Sequence, residues 1–335
     1  MDAYTGSRAP FNGSPGVAST PAGNQAFTVD ADNAVLANWE LSNYKTILRQ
    51  KSEDSYTSKS NVTMRSVRGT NVNRVWETVE GQETFGAVMQ DVHYTQVERA
   101  VARWFSVHDG LIENVTGSGL GATGEPFGQG ITLDGQCRRV TIRDCDMSDF
   151  GGVQADGSSY SQGEGFGDEG NNYDITYGPR LTSRRNGDAG YDIKSNPTFT
   201  GVLVSIDNPR DWRLWNGVKA ETATLDASGT SKQVLWFNGL AGSITALPVA
   251  VIGKLIARNP AASATSISRY ENGRADVTIL DYDIHKGWRG KLLHFNAGSG
   301  YGAPTYSGGG RVEQDDGSWI TYPGSPPVDA QGRLL

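Results

Sequence analysis

One short pattern recurs along the middle of the chain: a strand-like stretch that ends in a polar residue followed by a small one, usually glycine. Copies aligned on that ending, separated by 35, 25, 22, 22 and 34 residues, place six polar residues in one column. These residues are Asp134, Glu169, Lys194, Asn216, Asn238 and Asn272. A strand that recurs at such intervals is typical of a solenoid, in which each coil stacks on the one before it. Residues far apart in sequence are then expected to be neighbours in space.

Between these copies, apolar and β-branched residues alternate with polar ones, as in Gly110–Thr116, Arg139–Arg143 and Asp276–Asp281. Such alternation favours short strands, and 43 glycines in 335 residues suit the turns that join them. A β-sandwich would need hairpin turns every ~8–12 residues, and a propeller a regular period of roughly 40. The irregular spacing fits neither, so the sequence predicts an all-β, single-stranded parallel β-helix.

We expect the whole chain to form a single β-helix domain. Residues 1–26 would form an arm or cap, residues 27–296 the coils, and residues 297–335 an irregular tail rich in glycine and proline. Two polar insertions, Thr70–His93 and Val153–Gly163, are expected to interrupt the coils. Insertions on one face of a solenoid often border a binding groove.

The net charge and the hydropathy of the chain limit the classes of partner that the protein can bind. A net charge of −7 argues against general nucleic-acid binding, which needs a basic surface. The longest apolar run, Ala246–Gly253, is far shorter than the ~20 residues of a membrane span, so no membrane partner is expected. A local basic groove on an acidic protein remains compatible with an anionic sugar. The oligomeric state stays open, and a monomer is compatible with the sequence.

Two cysteines, Cys137 and Cys145, bracket a strand-like stretch. An extended strand at ~3.3 Å per residue separates them too far for a disulfide, so we expect both to be free and buried. The four histidines, His93, His108, His285 and His294, show no zinc spacing, and His294 is expected to pack in the core.

Because successive side chains of a strand point to opposite faces, the alignment predicts orientation. In Gly190–Ser195, Tyr191 points inward, whereas Asp192 and Lys194 point outward. Asp168 would point inward, which is costly unless the carboxylate is paired or bound to a metal, so either the register slips there or the coil contains a bulge. Alignment on the glycine would also bury Arg213, so we prefer a register shifted by one residue that turns Arg213 outward.

The outward carboxylates suggest an oxygen-rich site of the kind that Ca²⁺ prefers. Its candidate ligands are the outward Asp134, Glu169 and Asp192, together with Asp168 and Asp188. Beside them, Lys194 and Arg213 are the base and the charge-neutralising group that β-elimination of a uronic-acid polymer needs. Lysine becomes an effective base near neutral pH when neighbouring cations lower its pKa. Candidate substrate contacts are Arg184, Arg185, Tyr191, Trp215 and Asn216.

Other interpretations remain open. The polar column resembles the charge and asparagine ladders that occur on solvated faces of β-helices. Paired carboxylates such as Glu169 and Asp188 would suit a glycoside hydrolase, since inverting enzymes place the two groups ~6.5–9.5 Å apart. A C5-epimerase and a non-catalytic carbohydrate-binding solenoid are further alternatives. The tryptophans Trp104, Trp215, Trp236 and Trp288 either stack on sugars or pack internally.

Residues 130–217 resemble the right-handed parallel β-helix polysaccharide lyases of the pectate-lyase-like superfamily. The segment Asn186–Lys194 resembles the Asn-x-Asp-Asp-Gly-x-Asp segment of the family nine pectate lyases, with Ala189 where a second calcium-binding aspartate is expected. Asp192-Ile-Lys-Ser195, followed by Arg213, resembles polysaccharide lyase family six, the alginate lyases and chondroitinase B. Mannuronan epimerases share the architecture.

This resemblance implies a right-handed coil and a β-eliminating enzyme that acts on an acidic polysaccharide. Lys194 would be the base, Arg213 its partner, and Glu169 and Asp192 ligands of Ca²⁺. It also implies export, so we expect a secreted or periplasmic protein whose leader has been removed, since Met1–Gly6 shows neither a basic nor an apolar signal region.

Overall fold

The computed structural model describes residues 9–12, 25–50, 58–152, 162–238, 249–271, 275–297 and 303–335. The described residues are all-β, with 60% of them in strands, and the chain folds as a parallel β-solenoid of about nine turns. The predicted fold class is therefore confirmed. The described residues contain no α-helix, and therefore no helix that is long and apolar enough to cross a membrane. Two short 3₁₀ turns cover Gly121–Thr123 and Lys286–Trp288.

The chain divides into two compact units, each described by itself: Met1–Thr176 with Arg185–Asp188, and Tyr177–Arg184 with Ala189–Leu335. The strands of the first unit are β1 (Ala9–Asn12), β2 (Gln25–Val29), β3 (Val35–Ala37), β4 (Trp39–Ser42), β5 (Thr46–Gln50), β6 (Lys59–Ser60), β7 (Thr63–Glu77), β8 (Thr84–Phe85), β9 (Val88–Phe105), β10 (Val107–His108), β11 (Leu111–Ser118), β12 (Gln129–Asp134), β13 (Thr141–Arg143), β14 (Cys145–Ser148) and β15 (Glu164–Asp168). Strand β16 (Thr176–Tyr177) contains the boundary.

Stacked strands of the first unit pair in parallel and in register. Leu48, Trp76, Ala102, Ile131 and Phe166 occupy one inward column, and each is almost fully buried. The rings of Trp76 and Trp104 meet edge to face at 5.1 Å. Because each coil buries its apolar residues only against the coils above and below, the alternation of apolar and polar residues sets the register.

The corners of the coils depend on residues with a left-handed backbone. One such column contains Asn33, Asn61, Asp109 and Arg139, with Gly86 at the equivalent position. Among all described non-glycine residues with this backbone conformation, φ lies between 49° and 64°. Each residue of the column donates its backbone N–H to the next coil. Asparagine, aspartate and glycine adopt this conformation at the lowest cost, which explains why these residue types punctuate the sequence.

In the second unit the strands are β17 (Leu181–Arg184), β18 (Ala189–Ile193), β19 (Thr198–Phe199), β20 (Gly201–Ile206), β21 (Arg210–Leu214), β22 (Val218–Ser228), β23 (Gln233–Asn238), β24 (Val249–Ala257), β25 (Ser266–Glu271), β26 (Asp276–Ile284), β27 (Leu292–Asn296), β28 (Thr305–Tyr306), β29 (Gly310–Glu313) and β30 (Trp319–Tyr322). Its core contains a stack of Tyr191 on Trp212 at 5.7 Å. His294 packs against Tyr270 but is only half-buried, and burial lowers the pKa of its imidazole.

Three predictions about the ends and insertions meet different outcomes. The insertion expected at Thr70–His93 is wrong, because these residues continue β7, form β8 and begin β9, with Val72 paired to Val97. Their polar side chains made strands look like a loop. The tail is less irregular than expected, since β29 pairs with both β26 and β30. Val153–Ser161, most of the other expected insertion, lies outside the described residues.

Cys137 and Cys145 are free and buried, as predicted. Burial raises the pKa of both thiols to about 12. Both are therefore neutral at ordinary pH and behave as small apolar groups of the core.

One glycine gives a direct test of the stacking. A Cβ added to Gly69 in β7 would lie 1.8 Å from the carbonyl oxygen of Leu41 and 2.8 Å from the ring of Tyr94. We expect Gly69→Ala to lower the free energy of unfolding by about 1–3 kcal/mol, since backbone atoms on the preceding coil cannot move aside cheaply. Urea denaturation measures the change. Gly324→Ala is the matched control, because nothing lies within 4 Å of a Cβ at Gly324; equal stability of the two variants would contradict the close stacking.

Candidate functional site

The predicted site residues fall into both units. Those in the first unit are Asp134, Asp168, Glu169, Arg185 and Asp188, and those in the second are Arg184, Tyr191, Asp192, Lys194, Arg213, Trp215 and Asn216.

In the first unit, Asp134 at the end of β12 is 6% exposed and accepts a hydrogen bond of 2.8 Å from Nε of Arg103. The guanidinium of Arg103 also lies over the ring of Phe105, at 4.8 Å from its centroid. Glu169 donates its backbone N–H to Leu133 O, so Glu169 lies beside Asp134 as the alignment predicted. Asp134 is thus held in an ion pair between coils.

Asp168 pairs in register with the core residue Leu133 and is 1% exposed. The predicted inward position is confirmed, without the register slip that would have turned it outward. Asp168 therefore does not share the outer face with Asp134, and its role as a metal ligand stays a prediction. Since Leu133 is inward and Asp134 outward, Asp168 and Asp134 lie on opposite faces of the sheet.

Two other first-unit candidates sit near the end of this unit. Arg185 is exposed and makes a two-pronged ion pair with Asp149, both contacts at 2.8 Å. Such a pair joins neighbouring coils, so the guanidinium already has an anionic partner within the fold. Asp188 is half-buried and donates its backbone N–H to Gly163 O.

In the second unit, the register of β18 and β21 decides which residues point outward. Asp192 pairs with Arg213, and Ile193 with Leu214, which is 1% exposed. The shifted register preferred from the sequence is confirmed, with Arg213 outward. Tyr191 is fully buried and donates its hydroxyl hydrogen bond to Val204 O at 3.2 Å. Its inward orientation is confirmed, and its inclusion among substrate contacts is wrong.

Four outward residues of the second unit form a compact cluster around one indole. Asp192 accepts a hydrogen bond of 2.6 Å from Nε1 of Trp215 and pairs with Nη1 of Arg213 at 3.3 Å. The Arg213 guanidinium lies 4.8 Å from the Trp215 ring centroid, and Nζ of Lys194 lies 5.6 Å from it. Both cations therefore rest against the same aromatic ring, an arrangement favoured by the ring quadrupole. We call Asp192, Lys194, Arg213 and Trp215 the indole cluster.

In two later coils the predicted column is displaced by one residue, because Trp215 and Glu271 occupy the positions predicted for Asn216 and Asn272. The pairing of Ile193 with Leu214 places Trp215, and not Asn216, beside Lys194. Asn216 instead donates a side-chain hydrogen bond to Lys194 O, which ties the two coils together. Asn238 pairs with Glu271, and Asn272 lies outside the described residues. Arg184 ends β17, where it pairs with Ile206 on the neighbouring strand.

The sequence interpretation named Trp236 only as one of four tryptophans that stack on sugars or pack internally, and it missed Arg210, Arg269 and Phe295, which continue from the indole cluster. Arg210 and Arg213 both lie over the ring of Trp236, at 5.0 and 4.3 Å. Trp236 donates through Nε1 to Glu271 at 2.9 Å. Arg269 pairs with Glu271 and lies 5.3 Å from the ring centroid of Phe295, which is 40% exposed. Alignment on Arg213 in place of the glycine would have found them.

The described residues do not fit the predicted Ca²⁺. They contain no group of three or more histidine, cysteine, aspartate or glutamate residues that could hold a metal ion. Asp134 is engaged by Arg103, and Asp192 by Arg213 and Trp215. Calcium stays a prediction, and no chemistry below depends on it.

Comparisons of the chain with protein families, with curated proteins and with solved structures found no match.

Proposed function

We propose that the indole cluster binds an acidic polysaccharide and that Lys194 cleaves it by β-elimination. The observation that carries the proposal is the contact of Lys194 and Arg213 with the single ring of Trp215. A proton acceptor and a charge-neutralising group are the two parts that elimination from a uronate needs, and both project from neighbouring coils beside this ring. The proposal keeps the predicted secreted or periplasmic location, where such polymers occur.

The proposed step begins with the neutral amine of Lys194, which removes the proton from C5 of a uronate. The electron pair of that C–H bond forms the C4–C5 double bond, and the bond from C4 to the glycosidic oxygen breaks. The leaving oxygen takes a proton from water. Arg213 stabilises the negative charge that builds up on the C6 carboxylate while the proton is lost.

Asp192 would act as a positioning residue. It is 6% exposed because Trp215 and Arg213 cover it, and its two oxygens hold these two side chains. Charge-assisted hydrogen bonds of this kind fix the guanidinium and the indole before substrate arrives. A preorganised charge is more effective than one that must reorient during the reaction.

A second candidate function is polysaccharide binding without cleavage. It is favoured by the same contacts, because Arg213 already has an anionic partner in Asp192 and two aromatic neighbours, Trp215 and Trp236. A guanidinium presents five N–H donors in a fixed planar arrangement, which suits recognition as well as catalysis.

A product assay separates the two. We expect the protein to generate a conjugated 4,5-unsaturated uronate, detected by ultraviolet absorbance, from at least one polymer among alginate, pectate, glucuronan, hyaluronan and chondroitin. Assays with added Ca²⁺ and with a chelator test the predicted metal. New reducing ends without absorbance would replace the lyase by a hydrolase. Binding without either product would favour the non-catalytic function.

A further inference from the structure

Four stacked strands of the second unit alternate between rows that carry arginine and rows that carry no charge. Strand β21 contains Arg210 and Arg213, and β25 contains Arg269. Strand β23 (Gln-Val-Leu-Trp-Phe-Asn) has no ionisable side chain, and β27 has only His294, whose imidazole pKa is lowered by burial. Charge therefore recurs at every second coil.

The alternation lies in one column of the sheet. Arg213 pairs in register with Trp236, Trp236 with Arg269, and Arg269 with Phe295. Each arginine rests on the aromatic ring of the following coil, at 4.3 Å for Arg213 on Trp236 and 5.3 Å for Arg269 on Phe295. Because inward neighbours of these residues, such as Leu214 and Tyr270, are buried, the column belongs to the outer face.

Exposure along this column allows contact with a ligand. The side chains of Arg213 and Arg269 are 18% and 31% exposed, and Phe295 is 40% exposed. Trp236 is only 5% exposed, so it supports the arginines and offers no charge to a ligand. A polymer lying along the column would thus meet a cation, an uncharged row, a second cation and an exposed aromatic ring.

We infer that this column takes a polysaccharide in which an acidic sugar alternates with an uncharged one. The inference rests on the proposed function and specifies its substrate class. Neighbouring strands lie ~4.8 Å apart, close to the advance of one pyranose along an extended chain, so arginines two coils apart are separated by roughly 10 Å. Carboxylates on every second sugar would reach Arg213 and Arg269 in turn.

A polymer with a carboxylate on every sugar fits this column less well. Every second carboxylate would face the row of Trp236 and Asn238, which supplies no cation. Glu271 adds to the discrimination, since it pairs with Arg269 at 3.1 Å and would repel a carboxylate placed off the arginine. Charge spacing of this kind selects a partner by penalising the wrong one.

The test is a binding comparison in the full-length Lys194→Ala protein, which removes the proposed base and leaves the four rows intact. Hyaluronan oligosaccharides, which alternate acidic and neutral sugars, are compared by calorimetry with alginate oligosaccharides that carry the same number of carboxylates. We expect at least a tenfold lower Kd for hyaluronan. We also expect Arg269→Gln and Phe295→Ala, each added to this background, to raise that Kd about tenfold and a few-fold, respectively.

Lys219→Ala serves as the control, because Lys219 is exposed on β22 outside this column, and its Kd should not change. Thermal unfolding checks that every variant is folded. Equal Kd values for the two polymers, no binding to either, or no effect of Arg269→Gln in a folded protein would each overturn the inference. A preference for hyaluronan in a protein that yields no unsaturated product would support the inference while the lyase proposal fails.

Discussion

Alanine in place of Lys194 is expected to lower the rate of β-elimination by about 10²–10⁴-fold, the usual contribution of a positioned general base. The Kd for the polymer should change only a few-fold, because Arg213 keeps its contacts with Trp215 and Trp236. The loss should therefore appear in kcat more than in KM. Initial rates of absorbance increase, measured over a range of polymer concentrations, give both constants.

Two controls make this result specific. Lys219→Ala removes an exposed lysine of the same unit and should leave kcat unchanged. Lys194→Arg keeps a cation against the Trp215 ring but replaces the amine by a group that stays protonated, so it should bind like the wild type and fail to eliminate. Full activity of Lys194→Arg would show that position 194 supplies charge and that another residue is the base.

The fold could be predicted because two local signals agree with it. Alternating side chains define short strands, and asparagine, aspartate and glycine supply the left-handed corners at which each coil turns. Neither signal depends on distant residues. By contrast, the polar stretch from Thr70 to His93 looked like an insertion because its outward positions carry threonine, asparagine, glutamine and arginine, which are compatible with a solvated strand face.

The candidate site was predicted less completely, because a one-residue error in register exchanges the two faces of a strand. The cost of burying a guanidinium corrected the alignment at Arg213, and the structure confirms that correction. Asparagine gave no such signal at Asn216 and Asn272, since it is acceptable on either face, and Trp215 and Glu271 occupy the column in those coils. The alignment of both asparagines followed the glycine, whose position varies with the length of each turn. The column that contains Arg269 and Phe295 was consequently missed.

Burial was the other property that the sequence did not reveal. Asp192 points outward, yet it is 6% exposed, because Trp215 and Arg213 from the following coil cover it. Sequence alternation predicts the direction of a side chain, whereas exposure depends on which large side chains neighbouring coils place beside it.

The core of the second unit contains a buried carboxyl group that makes the stability of the fold depend on pH. Asp211 in β21 is fully buried, and its two oxygens accept hydrogen bonds from Ser205 and Thr230, each at 2.5 Å. Asn208 in turn donates to Ser205 at 2.8 Å. Burial raises the pKa of Asp211 well above its ordinary value and outweighs the two hydroxyl donors, which act in the opposite direction. The folded protein therefore holds this proton more tightly than the unfolded chain does.

This difference in the pKa of Asp211 between the folded and unfolded states determines whether the free energy of unfolding rises or falls with pH. The contribution of Asp211 to stability is fully present below the unfolded pKa of about 4 and is lost as the pH rises from there towards the folded pKa. The loss approaches about 1.4 kcal/mol per pH unit in that interval. Asp211→Asn keeps the shape and has no proton to lose, and Ser205 and Thr230 can accept as well as donate hydrogen bonds. We therefore expect this variant to gain stability relative to the wild type as the pH rises from about 4 to 7.

Asp211→Ala removes the network and is expected to lower the free energy of unfolding by about 2–5 kcal/mol, because it leaves a cavity and two buried hydroxyls without their acceptor. Urea denaturation of both variants and the wild type at several pH values measures both effects. A difference between Asp211→Asn and wild type that stays constant with pH would mean that Asp211 is ionised in the folded protein. In that case the hydroxyl donors outweigh burial, and the coil would tolerate a charge in its core.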